Sequence, residues 1–285
     1  MKKLLTLLTL SFVLLLAACG GGNNDNEEAS NNGNTGNENG EDTTITVGAQ
    51  SVPHAEILEE AKPLLEEEGI ELEIEPYEDF ILPNDDLAEG VLDANYFQHI
   101  PYLEQTIEDT GYDLTHIGAI HLEPMGVYSQ EFESVDDIPD GTEVVMSNSV
   151  ADHGRILGLF EEEGLITLDN DVEIDEAQID DIEDNPKDLE FTADNAPEFL
   201  PEIYESEEDV LVVINTNYAI EAGLIPEEDS IFMEDDNSPY VNVVAVNKED
   251  EENEALHTLV DVLHSDEIQE FIEEEYDGTI VPVSE

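Results

Sequence analysis

The chain has 285 residues and carries 75 Asp and Glu against six Lys and Arg, which gives a formal net charge of −69. A surface with this charge repels phosphate, so nucleic acid is excluded as a partner. The single cysteine, Cys19, lies near the N-terminus, which excludes a disulfide and a thiol nucleophile in the rest of the chain.

The N-terminal segment has the pattern of a secretory signal. Two lysines precede a largely apolar run over residues 4–16, shorter than the roughly 20 residues that a membrane-spanning helix needs. The run ends in Leu-Ala-Ala-Cys, and small residues before a cysteine resemble the lipobox of bacterial lipoproteins. We expect residues 1–18 to be a signal peptide and Cys19 to carry the lipid.

Residues 20–42 contain almost only Gly, Asn, Asp, Glu, Ser and Thr, with Ala29 the one apolar residue. Such a segment cannot bury enough apolar surface to offset the entropy of ordering it. We expect residues 19–42 to be a disordered tether that spans roughly 25–30 Å as a flexible coil. The folded domain would then lie outside the cell, anchored to the cell membrane through Cys19.

The remaining residues predict an α/β fold. Apolar and polar residues alternate over 44–47 and again over 70–74, which predicts two strands. A helix is predicted between them over 53–68, with Pro53 near its first position. Together they form a βαβ unit, which implies a parallel sheet. Pro63 inside that helix predicts a kink. Further helices are predicted near residues 85–89, 100–109, 151–163, 196–204, 216–222, 253–263 and 266–275. Further strands are predicted near residues 115–121, 142–146, 209–214 and 240–246.

Motifs for catalysis are missing from the sequence. It contains no G-x-x-x-x-G-K-[ST], G-x-S-x-G, H-E-x-x-H or C-x-x-C. The seven histidines do not have the spacing of a metal motif, and carboxylates are too abundant for any pair to indicate acid–base catalysis. We therefore predict that the protein is not an enzyme and has neither a metal nor a cofactor.

Several short stretches carry a resemblance to a known family. They are Leu-Pro-Asn at 82–84, Leu-Asp-Ala-Asn-Tyr-Phe-Gln-His at 92–99, Pro-Tyr-Leu at 101–103, His-Leu-Glu-Pro-Met-Gly at 121–126, Asn-Pro-Lys at 185–187, Val-Ile-Asn-Thr-Asn-Tyr-Ala at 213–219 and Ser-Pro-Tyr-Val-Asn at 238–242. Taken together and in this order, they resemble the methionine-binding lipoproteins of ABC importers.

The resemblance implies a two-lobed, periplasmic-binding-protein-like α/β fold with a ligand cleft between the lobes, which close by a hinge motion. One lobe would combine residues 43–127 and 238–285, and the other would be residues 128–237. The implied partners are methionine, the permease of an ABC transporter and its ATPase. Another small amino acid or a dipeptide as ligand, and a surface adhesin or scaffold, are the alternatives.

The resemblance also implies residues for the polar end of the ligand. Arg155 is the only arginine, and a guanidinium can bind a carboxylate bidentately. The family places an arginine here on the ligand's α-carboxylate, although a structural ion pair is the alternative. Asn215 and Asn242 match asparagines that hold the polar end. Glu123 is a candidate for the ligand ammonium, and Asn148 falls at a position that faces the cleft.

An aromatic wall for the thioether is the second implied feature, because sulfur packs well against ring edges. Its members are Phe80, Tyr96, Phe97, His99 and Tyr102. The family usually has tyrosine where Phe80 stands, so one hydroxyl is lost and the ring is kept. Ordinary core packing is the alternative for each of these side chains.

The acidic residues are spread along the whole chain. Once Lys2 and Lys3 leave with the signal, four Lys and Arg remain against 75 Asp and Glu, a formal charge of −71. Self-repulsion of this size destabilises a compact state in dilute buffer. The composition indicates a halophilic bacterium whose exterior proteins are adapted to high salt. The alternative explanation for the acidity is that the protein needs its carboxylates to bind cations.

The melting temperature should therefore depend strongly on salt. It should rise steeply between dilute buffer and about 1–2 M NaCl, because the Debye length falls to ~3 Å at such concentrations. Thermal melts followed by circular dichroism measure this, and an equal rise in KCl separates screening from a specific effect of sodium. A melting temperature that stays flat across the range contradicts the prediction.

Overall fold

A computed structural model describes residues 43–235 and 238–283. The predicted signal peptide, the lipidated Cys19 and the tether lie outside the described residues. In the described part of the chain, no helix has both the length and the apolar character needed to cross a membrane.

The strands and helices alternate along the chain, as an α/β fold requires. The strands are β1 (Thr43–Gln50), β2 (Ile70–Tyr77), β3 (Ala94–His99), β4 (Leu114–Leu122), β5 (Gly126–Tyr128), β6 (Glu143–Ser147), β7 (Thr167–Leu168), β8 (Ile182–Asp184), β9 (Glu190–Asn195), β10 (Val210–Ile214), β11 (Phe232–Met233), β12 (Val241–Asn247) and β13 (Val281–Pro282). The α-helices are α1 (Glu56–Glu67), α2 (Leu82–Ala88), α3 (Ile100–Thr110), α4 (Val150–Glu162), α5 (Leu200–Ser206), α6 (Thr216–Glu221), α7 (Pro226–Asp229), α8 (Glu254–Leu263) and α9 (Asp266–Glu275).

The first sheet has the strand order β13-β4-β12-β3-β1-β2. Strand β1 is parallel to β2 and β3, which confirms the predicted βαβ unit. Strand β12 is antiparallel to β3 and β4, so the sheet as a whole is mixed. Its core packs apolar strand residues such as Val47 and Val244 against Leu58 of α1 and Leu259 of α8, all fully buried.

The second sheet has the strand order β11-β5-β10-β6-β9. Strands β6, β9 and β10 are parallel, and β5 is antiparallel to β10. Helix α4 packs on this sheet through Ile156 and Phe160, which are fully buried beside Met146 and Val213. Because α4 also carries Arg155, packing of the second sheet fixes the position of that guanidinium.

Two crossover segments join the sheets. Residues 123–125 lead from β4 to β5, and the chain returns from β11 to β12 through a second segment, of which Glu234, Asp235 and residues 238–240 are described. The crossovers are hydrogen-bonded to each other, because the Glu234 N–H donates to the Met125 carbonyl at 3.0 Å and the Met125 N–H donates to Glu234 Oε2 at 2.9 Å. Each sheet therefore has its own core, and the crossovers are one of the places where the two halves of the molecule are in contact.

The predicted elements and the structure differ in several places, and short strands such as β5 and the six-residue β9 were not predicted. Strand β3 was not predicted either, because its six buried side chains include polar ones and form neither an alternating nor a continuous apolar pattern. The regular helix begins at Glu56 instead of Pro53, since Val52 has an extended backbone, as the residue before a proline favours. Helix α1 runs on through Pro63, whose side chain lies on the exposed face.

Gly154 allows α4 to approach the segment Ile174–Glu176 closely. A Cβ at Gly154 would lie 2.1 Å from the Ile174 carbonyl oxygen, which belongs to the backbone and cannot rotate away. At Gly158, one turn further along the same helix, the nearest atoms are in the flexible Ile174 side chain at 3.1 Å.

Gly154→Ala should lower the free energy of unfolding by about 1–3 kcal/mol, because overpacking outweighs the gain in helix propensity. The matched control is Gly158→Ala, which should leave that free energy unchanged or slightly higher. Chemical denaturation in about 2 M NaCl measures both. Equal unfolding midpoints for the two variants contradict the close approach.

Candidate functional site

A cavity of about 390 Å³, counting the space that opens to solvent, lies where the two sheets meet. It is lined by Phe80, Phe97, Gln98, His99, Tyr102, Glu123, Asp152, Arg155, Asn215, Thr216, Asn217 and Asn242. Polar and charged groups therefore share one small space with aromatic rings.

Most of the residues predicted from the sequence meet at this cavity. Those that line it are Phe80, Phe97, His99, Tyr102, Glu123, Arg155, Asn215 and Asn242. Tyr96 does not line it, because its side chain is fully buried behind the wall and its hydroxyl contacts His121. Asn148 is exposed and lines a neighbouring cavity that shares Phe80 and Tyr102 with the first.

Sequence reasoning missed Gln98, Asp152, Thr216 and Asn217. Asp152 precedes Arg155 by three residues in α4, so the two lie on one face of the helix, and this spacing was the available signal. Gln98 belongs to a buried cluster in which its amide is hydrogen-bonded to Asn84 and Asn95 at 2.8 Å. The family motifs at 82–84 and 92–99 thus contribute to this structural cluster as well as to the cavity wall.

Arg155 is buried and connects both crossover segments. Its Nη2 donates to the Glu123 carbonyl at 2.5 Å, and Nε and Nη2 donate to Glu234 Oε2 at 2.8 and 2.5 Å. The guanidinium also lies 4.8 Å from the centroid of the Tyr240 ring, within the range of a cation–π contact. The ion pair that was the alternative role for Arg155 is therefore present, and Arg155 lines the cavity as well.

Asp152, on α4, is hydrogen-bonded to a residue of the first sheet. His99 Nε2 donates to Asp152 Oδ1 at 3.0 Å, while His99 Nδ1 accepts from the Tyr102 N–H at 3.1 Å. Asn215 lies near enough to help lower the pKa of the Asp152 carboxyl. In the described part of the chain, Asn215 Oδ1 is buried without a hydrogen-bond partner, which is costly unless a ligand supplies a donor.

Glu123 lies on the first crossover, with its carboxylate held from behind. His121 Nε2 lies 2.7 Å from Glu123 Oε1, and His54 Nε2 lies 3.1 Å from the same oxygen. His54 also contacts Asn242 Oδ1 at 3.2 Å. These residues are all buried, so the contacts form in a region of low dielectric where hydrogen bonds are strong.

The ionisation states of the buried groups follow from their neighbours. Burial alone would raise the pKa of Glu123, but His54, His121 and Arg155 hold that pKa below its usual value. Burial would likewise raise the pKa of Asp152, which His99 and Arg155 lower instead. Burial lowers the pKa of His54 to about 4. At neutral pH both carboxylates are therefore charged and His54 is neutral.

His54, His121 and Glu123 are also the residues that could hold a metal ion. One ligand atom from each lies within 4.8 Å of the others. Their short mutual contacts are the distances of hydrogen bonds, and a neutral imidazole N–H beside a carboxylate accounts for them. The absence of a metal from the site stays a prediction.

Three aromatic rings form one wall of the cavity. The centroids of Phe80, Phe97 and Tyr102 lie 5.9, 6.0 and 6.1 Å from one another. Tyr218 packs on Phe80 from behind at 5.1 Å. Rings in tilted and edge contacts of this kind present both faces and edges to an apolar ligand group.

Comparisons with known proteins extend this description. The model of the NlpA lipoprotein family matches residues 45–284. The methionine-binding lipoprotein MetQ of Bacillus subtilis is 48% identical over 254 residues, which cover 88% of this chain and 92% of that protein. Coverage on both sides is nearly complete, so the similarity extends to the whole folded domain.

Solved structures agree with the sequence matches. The crystal structure of a putative methionine-binding lipoprotein of Bacillus subtilis superposes with a TM-score of 0.83 at 47% identity and covers 85% of this chain and 99% of that one. A nutrient-binding protein of Burkholderia cenocepacia, solved bound to methionine, gives a TM-score of 0.80 at 34% identity and covers 84% of this chain and all of that one. The predicted periplasmic-binding-protein-like fold is confirmed, and the chain belongs to the NlpA lipoprotein family.

Proposed function

We propose that this protein captures methionine outside the cell and delivers it to an ABC importer. The observation that carries the proposal is the cavity, whose lining combines a guanidinium and two carboxylates with three aromatic rings. A zwitterionic amino acid with an apolar side chain matches this combination. The names of the relatives and the methionine-bound neighbour support the same ligand.

The ligand carboxylate would bind the Arg155 guanidinium. Of the four cations that remain after the signal, Lys62 pairs with Glu59 on the surface and Lys187 donates to the Ile138 carbonyl. Lys248 lies just after β12, away from the cavity lining. Arg155 is thus the cation available to the ligand, and its charge persists because Glu234 and Asp152 raise its pKa against the effect of burial.

The ligand ammonium would bind at the carboxylates. Glu123 and Asp152 both line the cavity and are charged at neutral pH. Asn215 Oδ1 is a further acceptor that needs a donor. Asn242, held by His54, would complete the polar end, and the thioether would pack on Phe80, Phe97 and Tyr102.

The two lobes would close on the ligand because the residues that bind it come from both lobes. We place one lobe at residues 43–127 with 238–285 and the other at residues 128–237, except that β5 begins at Gly126 and belongs to the sheet of the second lobe. His99 and Glu123 belong to the first lobe, whereas Asp152, Arg155 and Asn215 belong to the second. A ligand that contacts both groups stabilises the closed arrangement, which the permease would recognise and the ATPase would use for import. A lipid on Cys19 would keep the protein near the permease.

Methionine should stabilise the protein selectively. At about 100 times its dissociation constant it should raise the free energy of unfolding by ~2.7 kcal/mol. Glycine lacks the group that contacts the rings, and glutamate and lysine place a charge there, so each should give a much smaller effect. Thermal shift assays in about 2 M NaCl measure this. Stabilisation by lysine or glutamate as large as that by methionine contradicts the assignment of the aromatic wall.

Arg155→Ala should weaken methionine binding by roughly 2–5 kcal/mol, because one partner of a buried charge pair is lost. Arg155→Lys should recover only part of this, since the planar fork of donors is lost. Calorimetry at high salt measures both variants once their folding has been checked by circular dichroism.

Glu234→Gln is the matched control for that experiment. It removes the charge that pairs with Arg155 but keeps an amide oxygen that can accept from the guanidinium, so methionine should lose much less affinity than it loses in Arg155→Ala. If Glu234→Gln and Arg155→Ala lose the same affinity, Arg155 acts through its ion pair and does not bind the ligand carboxylate.

Cys19→Ser should leave the protein unlipidated, either unprocessed or released from the membrane. Acylation of several positions on one residue holds a protein firmly at a membrane, and serine cannot replace the thiol. Membrane fractionation and mass spectrometry of the N-terminal peptide measure the result. Unchanged membrane association of the variant, or a wild-type Cys19 without a lipid, contradicts the anchor.

A further inference from the structure

We propose that His54 and His121 are positioning residues that set the Glu123 carboxylate as the receptor for the ligand's α-ammonium group, an inference that rests on the proposed function. Both imidazoles lie behind the cavity wall, with exposed fractions of 1% and 0%. Neither lines the cavity, so each would act on the ligand through Glu123.

His121 is held between Tyr96 and Glu123. The Tyr96 hydroxyl hydrogen-bonds His121 Nδ1, and His121 Nε2 lies 2.7 Å from Glu123 Oε1. A hydroxyl that donates to Nδ1 leaves the imidazole proton on Nε2, and this is the tautomer that donates to a carboxylate. Tyr96, His121 and Glu123 therefore form a chain of hydrogen bonds that ends at the cavity.

His54 supports the same carboxylate from a different element. It precedes α1, and its Nε2 lies 3.1 Å from Glu123 Oε1 and 3.2 Å from Asn242 Oδ1. A single N–H thus lies between two groups that line the cavity. His54 also packs edge-on against the Tyr96 ring, with centroids 4.8 Å apart, which restricts rotation of the imidazole.

Both imidazoles contact the same oxygen of Glu123. In residues 43–235 and 238–283, Oε1 has these two partners, and no hydrogen bond is made to Oε2. Glu123 lines the cavity, so Oε2 is the oxygen left for a ligand. A carboxylate fixed through one oxygen presents the other in a defined direction, which a flexible glutamate would not do.

The charge of the supporting side chains decides how much of the Glu123 charge a ligand meets. A lysine or arginine in their place would hold Glu123 equally well but would cancel its charge. Burial lowers the pKa of His54 to about 4, so at neutral pH His54 holds the carboxylate and leaves its negative charge for an ammonium group in a region of low dielectric. The network therefore selects ligands that carry a free amino group.

The test compares L-methionine with 4-(methylthio)butanoate, which is methionine without its amino group. Calorimetry with the wild type in about 2 M NaCl should show a preference for methionine on the order of 100-fold. In His121→Phe and His54→Phe the preference should fall below about tenfold, while the affinity for 4-(methylthio)butanoate stays near the wild-type value. His121→Gln, which keeps an N–H donor, should restore part of the preference.

His264→Phe is the control, because His264 donates to the Ala119 carbonyl at 2.7 Å and makes no contact with Glu123. It should keep the full preference. Variants that lose affinity for both ligands equally, or that keep the preference, overturn the positioning role and leave the proposed function intact. Binding that EDTA abolishes and Zn²⁺ restores also overturns it, in favour of a metal at the same residues. A wild type that does not bind methionine overturns the proposed function itself.

Discussion

The buried guanidinium of Arg155 determines how the two halves of the molecule meet. From α4 it donates to the Glu123 carbonyl on one crossover and to the Glu234 carboxylate on the other. Removing one partner of such a buried pair is costly, whereas the intact pair contributes mainly to geometry. The same guanidinium lines the cavity, so the place where the lobes are joined is also the place where a ligand carboxylate would bind. Ligand binding and lobe closure would then depend on one set of contacts.

The acidic surface of the chain and the buried charges of the cavity respond differently to salt. The acids on the surface interact through solvent, where molar salt screens them strongly. The contacts of Arg155, Asp152 and Glu123 are buried and are screened far less. Salt can therefore stabilise the fold without weakening the buried charges that we propose to bind the ligand. This separation explains how a chain with a formal charge of −71 after loss of the signal could still bind a carboxylate.

Much of the architecture could be predicted from the sequence. Helices with one apolar face, such as α8 and α9, begin and end within one residue of the predicted bounds. Strand β3 could not be predicted, because its buried side chains include polar ones such as Asn95 and Gln98, so it has neither alternation nor a continuous apolar run. At the site, the family resemblance indicated the rings and Arg155, but it did not show that Tyr96 turns away from the cavity or that His54 and His121 contact Glu123. His54 is distant from Glu123 in the chain, and no local pattern encodes that contact. His121 and Glu123 are two residues apart, but their contact depends on the direction of each side chain at the end of β4.

The most direct test of the account is an experimental structure of the protein with methionine, determined at high salt. The account predicts the ligand carboxylate within hydrogen-bonding distance of Arg155 and the ammonium between Glu123 Oε2 and Asn215 Oδ1. It also predicts the thioether against Phe80, Phe97 and Tyr102. A methionine bound in the opposite orientation, or outside the cavity, would contradict it.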